Sequence, residues 1–163
     1  MLGELGIQWA SGRLTIAEEH VASESLLRAL ARVGDALPTR LDGPGALLAI
    51  APNDEHTLGL AMAELCLREL GWTPIWLGRF TPISETVRLV ADGKLSLVVL
   101  TASAGCRDAR ALRAVADKVS ASCRTLRVDL VLGGAGAWPS TPKHGSRHRH
   151  LSDERTEQPK HGR

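Results

Sequence analysis

The stretch "ALLAIAPNDEHTLGLAMAELCLREL" (residues 46–70) decides the fold. Its first six residues are apolar and stop at Pro52, the signature of a short strand buried on both faces. After a polar loop, residues 56–70 carry apolar side chains at helical spacing and Gly71 closes them, so a strand runs through a loop into a helix. The same alternation continues along the chain. "TPIWLG" (73–78) reads as a second strand, and residues 82–92 as a helix closed by Gly93. "LSLVVLTA" (95–102) is a third strand, residues 107–121 a helix, and "RVDLVLGG" (127–134) a fourth strand. Four strands alternating with helices predict an α/β fold with a doubly wound parallel sheet, its crossovers right-handed.

Residues 1–37 precede this unit and read as helical. Thr15-Ile16-Ala17-Glu18 is a capping-box pattern. Leu26, Leu30 and Val33 supply an apolar stripe, and Gly34 and Pro38 end the helix. A shorter helix is expected within Met1–Ala10. Residues 139–163 hold one aliphatic side chain, Leu151, among His, Arg, Ser, Pro, Thr and Lys. They cannot bury enough apolar surface to offset chain entropy, so a disordered, basic, His-rich tail is expected.

Composition narrows the function. The chain has 163 residues, 44% of them hydrophobic, enough for one domain with an appendage. Its net charge of +2 gives no general nucleic-acid signal. Cys66, Cys106 and Cys123 have no metal-ligand spacing and read as reduced thiols of a cytoplasmic protein. No signal peptide or membrane span is expected.

In open α/β sheets ligands gather beyond the carboxyl ends of the strands. There the chain carries Asp54-x-His56-x-x-Gly59, then Thr101-Ala102-Ser103, then Gly133-Gly134. No glycine-rich dinucleotide fingerprint and no phosphate-binding loop motif is present. A His in a strand–helix loop can give one ring nitrogen to a metal while an Asp two residues earlier holds the other N–H. From average residue usage the three-position pattern arises by chance in roughly one chain of this length in a hundred. The bland alternative is a loop histidine in a metal-free signalling or structural domain.

These three features together resemble the cobalamin-binding domain family. The resemblance covers roughly residues 1–138 and implies a flavodoxin-like (Rossmann-like) sheet over 45–138, preceded by a truncated helical cap over 1–37. It implies His56 as the lower axial ligand of cobalt and Asp54 as the group that orients it. Glu55 and Thr57 flank that histidine. Thr101 stands where the family usually has Ser, and Ser103 where Leu is common. With Gly133 and Gly134 they would line the channel that takes the displaced nucleotide tail, while Gly59, one turn into the helix, lets something large approach its backbone.

Trp9, followed after nine residues by Glu19-His20, is similar to the cap of the CarH-type adenosylcobalamin-dependent photoreceptor regulators. The resemblance implies that Trp9, Glu19 and His20 cover the upper ligand. It implies a light-responsive regulatory protein rather than an enzyme, working as a homo-oligomer or through a protein partner. Adenosylcobalamin is the expected cofactor, with methylcobalamin and hydroxocobalamin as alternatives. The chain departs from the pattern in three ways. The MerR-like DNA-binding domain is missing, so no direct DNA binding is expected of this chain. Few residues precede Trp9. Ala10 replaces the histidine that in some of these photoreceptors follows the Trp and joins cobalt after light. The competing reading is a corrinoid carrier subunit of a methyltransferase or mutase, which needs only Asp54, His56 and Gly59.

Overall fold

The computed structural model describes residues 15–38, 40 and 42–140. Trp9, Ala10, the expected helix within Met1–Ala10 and the tail from residue 141 lie outside the described residues. The elements are α1 (Ile16–Ala36), β1 (Gly45–Ile50), α2 (Leu58–Glu69), β2 (Thr73–Trp76), α3 (Ile83–Ala91), β3 (Leu95–Thr101), α4 (Ala109–Leu126) and β4 (Asp129–Gly133). The strands form one parallel sheet in the order β2-β1-β3-β4. This is the doubly wound α/β arrangement that the alternation predicts.

The central strands β1 and β3 are buried on both faces, which is why they read as apolar runs rather than alternating ones, whereas the edge strand β2 is partly exposed. Side chains of odd and even positions separate into two layers. Leu47, Val98, Leu100, Leu130 and Leu132 pack with Leu112, Ala116 and Val119 of α4. Ala46, Leu48, Ile50 and Val99 pack with Leu60 and Leu67 of α2. Gly71 and Gly93 close α2 and α3 with positive φ.

Boundaries move where tertiary contacts overrule local pattern. Helix α2 starts at Leu58 rather than residue 56, because the Asp54 carboxylate holds the His56 N–H and keeps the loop extended. Helix α4 runs to Leu126, past the expected 121, because Val119 and Cys123 continue its buried face. It ends at Arg127, whose φ of 56° is left-handed. Trp138 is only 8% exposed, and Pro139 is buried too, so the core extends into the expected tail. The Trp138 Nε1–H donates to the Gly133 carbonyl at 2.8 Å.

Helix α1 begins with the expected capping box. The Glu18 N–H donates to Thr15 Oγ1 (3.2 Å) and the Thr15 N–H donates to Glu18 Oε2 (2.8 Å). Its inward seam differs from the expected stripe. Leu27, Leu30 and Gly34 face α2 across a cleft of about 280 Å³, while Val33 is 53% exposed. No residue of α1 is buried. The helix therefore leans on the sheet domain without joining its core. No described helix is long and apolar enough to cross a membrane.

Candidate functional site

The loop after β1 is built around one buried carboxylate. Strand β1 ends as the Ala51 N–H donates to the Thr101 carbonyl, and the Asp54 N–H closes a turn onto Ala51. Asn53 takes φ of 64° within it, a conformation that its side chain tolerates better than most. Asp54 is thus carried inward and left 3% exposed. Its Oδ1 accepts from the His56 N–H (3.1 Å) and from His56 Nδ1 (3.0 Å), and its Oδ2 accepts from the Ser103 N–H (2.5 Å). Burial pushes this carboxyl up, but the Ser103 and His56 hydrogen bonds together outweigh it. Asp54 therefore lies below its ordinary range.

An ionised Asp54 has no proton to give, so Nδ1 of His56 is the protonated nitrogen. In the neutral ring the lone pair is then on Nε2. The ring is held at one nitrogen while its side chain stays 67% exposed. That arrangement suits a metal ligand whose outer partner sets the tautomer.

Two clefts meet at His56. The upper one, about 180 Å³, runs between α1 and the loop; Glu19, His20, Glu55 and Thr57 line it, with Arg79 opposite the helix. The lower one, about 150 Å³, follows the carboxyl ends of the strands. Its walls are Gly59, Ala63, Val99, Thr101, Ala102, Ser103, Gly133 and Gly134. All the expected site residues that are described thus line one of the two clefts or, for Asp54, brace the histidine shared between them.

The lower cleft is shaped for a bulky group with a polar atom. A Cβ on Gly59 would meet nothing within 4 Å, so the helix start leaves open space there. Gly134 has φ of 85°, and a Cβ there would collide with the Ala102 carbonyl. Thr101 Oγ1 is buried without a hydrogen-bond partner among the described residues. Such an orphan costs free energy and calls for a partner that enters from the cleft.

On the upper side Glu19 and His20 are tied to their own helix. Glu19 accepts from Ser23 Oγ (2.7 Å), and His20 Nδ1 lies 2.8 Å from the Ile16 carbonyl and 3.1 Å from Glu19. Both still face the cleft. Arg79, which lines the upper cleft, and Cys106, near Asp54, stand outside the sequence motifs. Arg79 follows the end of β2, where the strand-end rule that singles out the other loops applies equally. Cys106 carries no motif. Burial raises its thiol, and the nearby Asp54 charge raises it further.

No established protein-family profile matches the chain. Two curated repressors of Myxococcus xanthus do. The HTH-type transcriptional repressor CarH is 37% identical over 90 residues, which cover 55% of this chain and 30% of that protein. The HTH-type transcriptional repressor CarA is 31% identical over 137 residues, covering 84% of this chain and 45% of the relative. The chain thus spans less than half the length of each. Among solved structures, the Methanosarcina barkeri monomethylamine corrinoid protein superposes with a TM-score of 0.65 at 18% identity, over 88% of this chain and 69% of that one. That likeness concerns the fold. Sequence kinship to the two repressors, on the fold of a corrinoid protein and around the Asp54–His56–Gly59 loop, places the chain in the cobalamin-binding domain family related to CarH.

Proposed function

We propose that this chain binds cobalamin with His56 as the lower axial ligand and serves as a sensor domain rather than an enzyme. The observation that carries the reading is the pair of clefts meeting at a histidine whose Nδ1–H is held by a buried, ionised Asp54. Bound adenosylcobalamin would supply a light-cleavable cobalt–carbon bond. The protein's part is to hold and to report. Asp54 holds the Nδ1–H of His56 and so leaves Nε2 as the nitrogen that faces a metal, and Thr101 Oγ1 would give the nucleotide tail a hydrogen-bonding partner. Gly59, Gly133 and Gly134 leave room for that tail.

Glu19 and His20, with Trp9, would cover the upper ligand. Helix α1 has no buried residue and an open seam against α2, so its displacement costs little core packing. Loss of the upper ligand would then change where α1 rests, and the change would pass to a protein partner or a second copy of the chain. Kinship to two repressors supports this regulatory reading over a corrinoid carrier. The corrinoid-protein fold suits either.

The test is to add adenosyl-, methyl- and hydroxocobalamin to the purified protein. Absorption spectra and size-exclusion profiles are recorded in the dark and after green light. The proposal predicts a bound spectrum that His56→Ala alters, and a light-dependent change in assembly with the adenosyl form. Binding without any effect of light favours the carrier. No binding of any form refutes both.

A further inference from the structure

We infer that Arg79 is a ligand-reading residue of the upper cleft, donating hydrogen bonds to an amide carbonyl on the corrin's edge; the inference rests on the cobalamin reading. Arg79 lies in the turn between β2 and α3 and faces α1 across the cleft. Among the described residues it is the one Arg or Lys lining that cleft, alongside Glu19, Glu24 and Glu55. Despite those three carboxylates it makes no ion pair or hydrogen bond among the described residues. A guanidinium carries five donors in a planar fork, and here all of them are available to a guest.

The turn that presents it is held in an uncommon shape. Thr81 Oγ1 donates to the Gly78 carbonyl at 2.8 Å and spans the turn. Phe80, next to Arg79, has φ of 61° and is 67% exposed. A left-handed backbone is a true outlier for a bulky aromatic residue, and an exposed one gains no burial in exchange. Strain of this kind concentrates where a loop must present a group to a ligand.

The guest's chemistry follows from position. On the cobalamin reading the tail and its phosphate would enter the lower cleft, which Arg79 does not line. The upper cleft would then meet the macrocycle rim, whose polar groups are side-chain amides. Each carbonyl accepts from an N–H fork, and the surrounding glutamates would repel an anion anywhere except beside Arg79.

The experiment is an absorption titration of the full chain with hydroxocobalamin and with its b-, d- and e-monocarboxylic acids, each with one propionamide hydrolysed. Wild type, Arg79→Gln and Arg79→Lys are compared, with circular dichroism confirming the fold of each. The inference predicts about tenfold weaker binding of hydroxocobalamin by Arg79→Gln. It also predicts that one acid isomer binds wild type more tightly than the parent does. That preference persists in Arg79→Lys and vanishes in Arg79→Gln. Equal affinities of wild type and Arg79→Gln, or acid preferences untouched by the substitution, would overturn it while a His56-dependent spectrum left the cobalamin reading intact. If wild type binds no cobalamin, both fall together.

Discussion

Replacing Thr101 by Val should make the ligand-free protein more stable and the ligand-bound one weaker. Val is nearly isosteric with Thr, so the packing of Thr101 against the site of Gly133 is kept; a Cβ placed on that glycine would lie 3.6 Å from Thr101 Cγ2. What changes is the buried, unpartnered Oγ1. A buried hydroxyl without a hydrogen bond costs roughly 1–3 kcal/mol, and exchange for a methyl removes that cost. The expected gain is about 1 kcal/mol, near the lower end, because Thr101 lies at the strand end and is itself only half-buried. With a urea m-value of about 2 kcal/mol/M, the unfolding midpoint should rise by about 0.5 M. If the hydroxyl serves the nucleotide tail, cobalamin affinity should fall by about fivefold in the same variant. Urea unfolding followed by circular dichroism gives the first number and absorption titration the second. A lower midpoint would refute the argument that the orphan hydroxyl is a cost kept for binding.

Three further substitutions probe the frame around this position. Asp54→Asn replaces an acceptor by a donor against one of the N–H groups of Ser103 and His56, and should cost about 2 kcal/mol at pH 7 by urea unfolding. Because Asp54 is depressed in the folded state, its contribution is full above the unfolded value of about 3.9 and fades as pH falls through the lower folded value. The gap between wild type and Asp54→Asn should therefore narrow below about pH 4, and a gap that widens in acid would contradict the assignment. Gly134→Ala combines a left-handed φ with a clash against the Ala102 carbonyl, and should cost about 3 kcal/mol in thermal or urea unfolding. Trp138→Phe removes the buried N–H donated to Gly133 and should lower stability by about 1 kcal/mol, with little change in m-value.

Much of the sheet is legible in the sequence because its central strands are buried on both faces. The apolar run from Ala46 to Ala51, and the runs that become β3 and β4, carry that signal within a few residues, independent of distant contacts. The capping box of Thr15 and Glu18 is equally local. The strand-end rule then locates the His56 loop, the Thr101–Ser103 loop and the glycine pair without any knowledge of side-chain placement. Other features arise only when separate segments meet. Trp138 carries no motif, and its hydrogen bond to Gly133 and its burial depend on the finished sheet. The α1 seam lies along Leu27, Leu30 and Gly34 because α2 decides which side of a weakly patterned helix turns inward. The strand-end rule reaches the turn of Arg79 but no motif marks it, and its place in the cleft depends on α1 lying across from it.

The central claim is that a histidine of this chain, His56, takes the lower axial position of cobalt. Electron paramagnetic resonance of cob(II)alamin bound to protein labelled with ¹⁵N-histidine tests it most directly. An axial nitrogen splits each cobalt line into a triplet when it is ¹⁴N and a doublet when it is ¹⁵N. The account predicts doublets in the labelled protein, triplets in the unlabelled protein, and loss of the histidine signal in His56→Ala. Triplets that persist after labelling would show that cobalamin keeps its own benzimidazole on the metal, and would contradict the account.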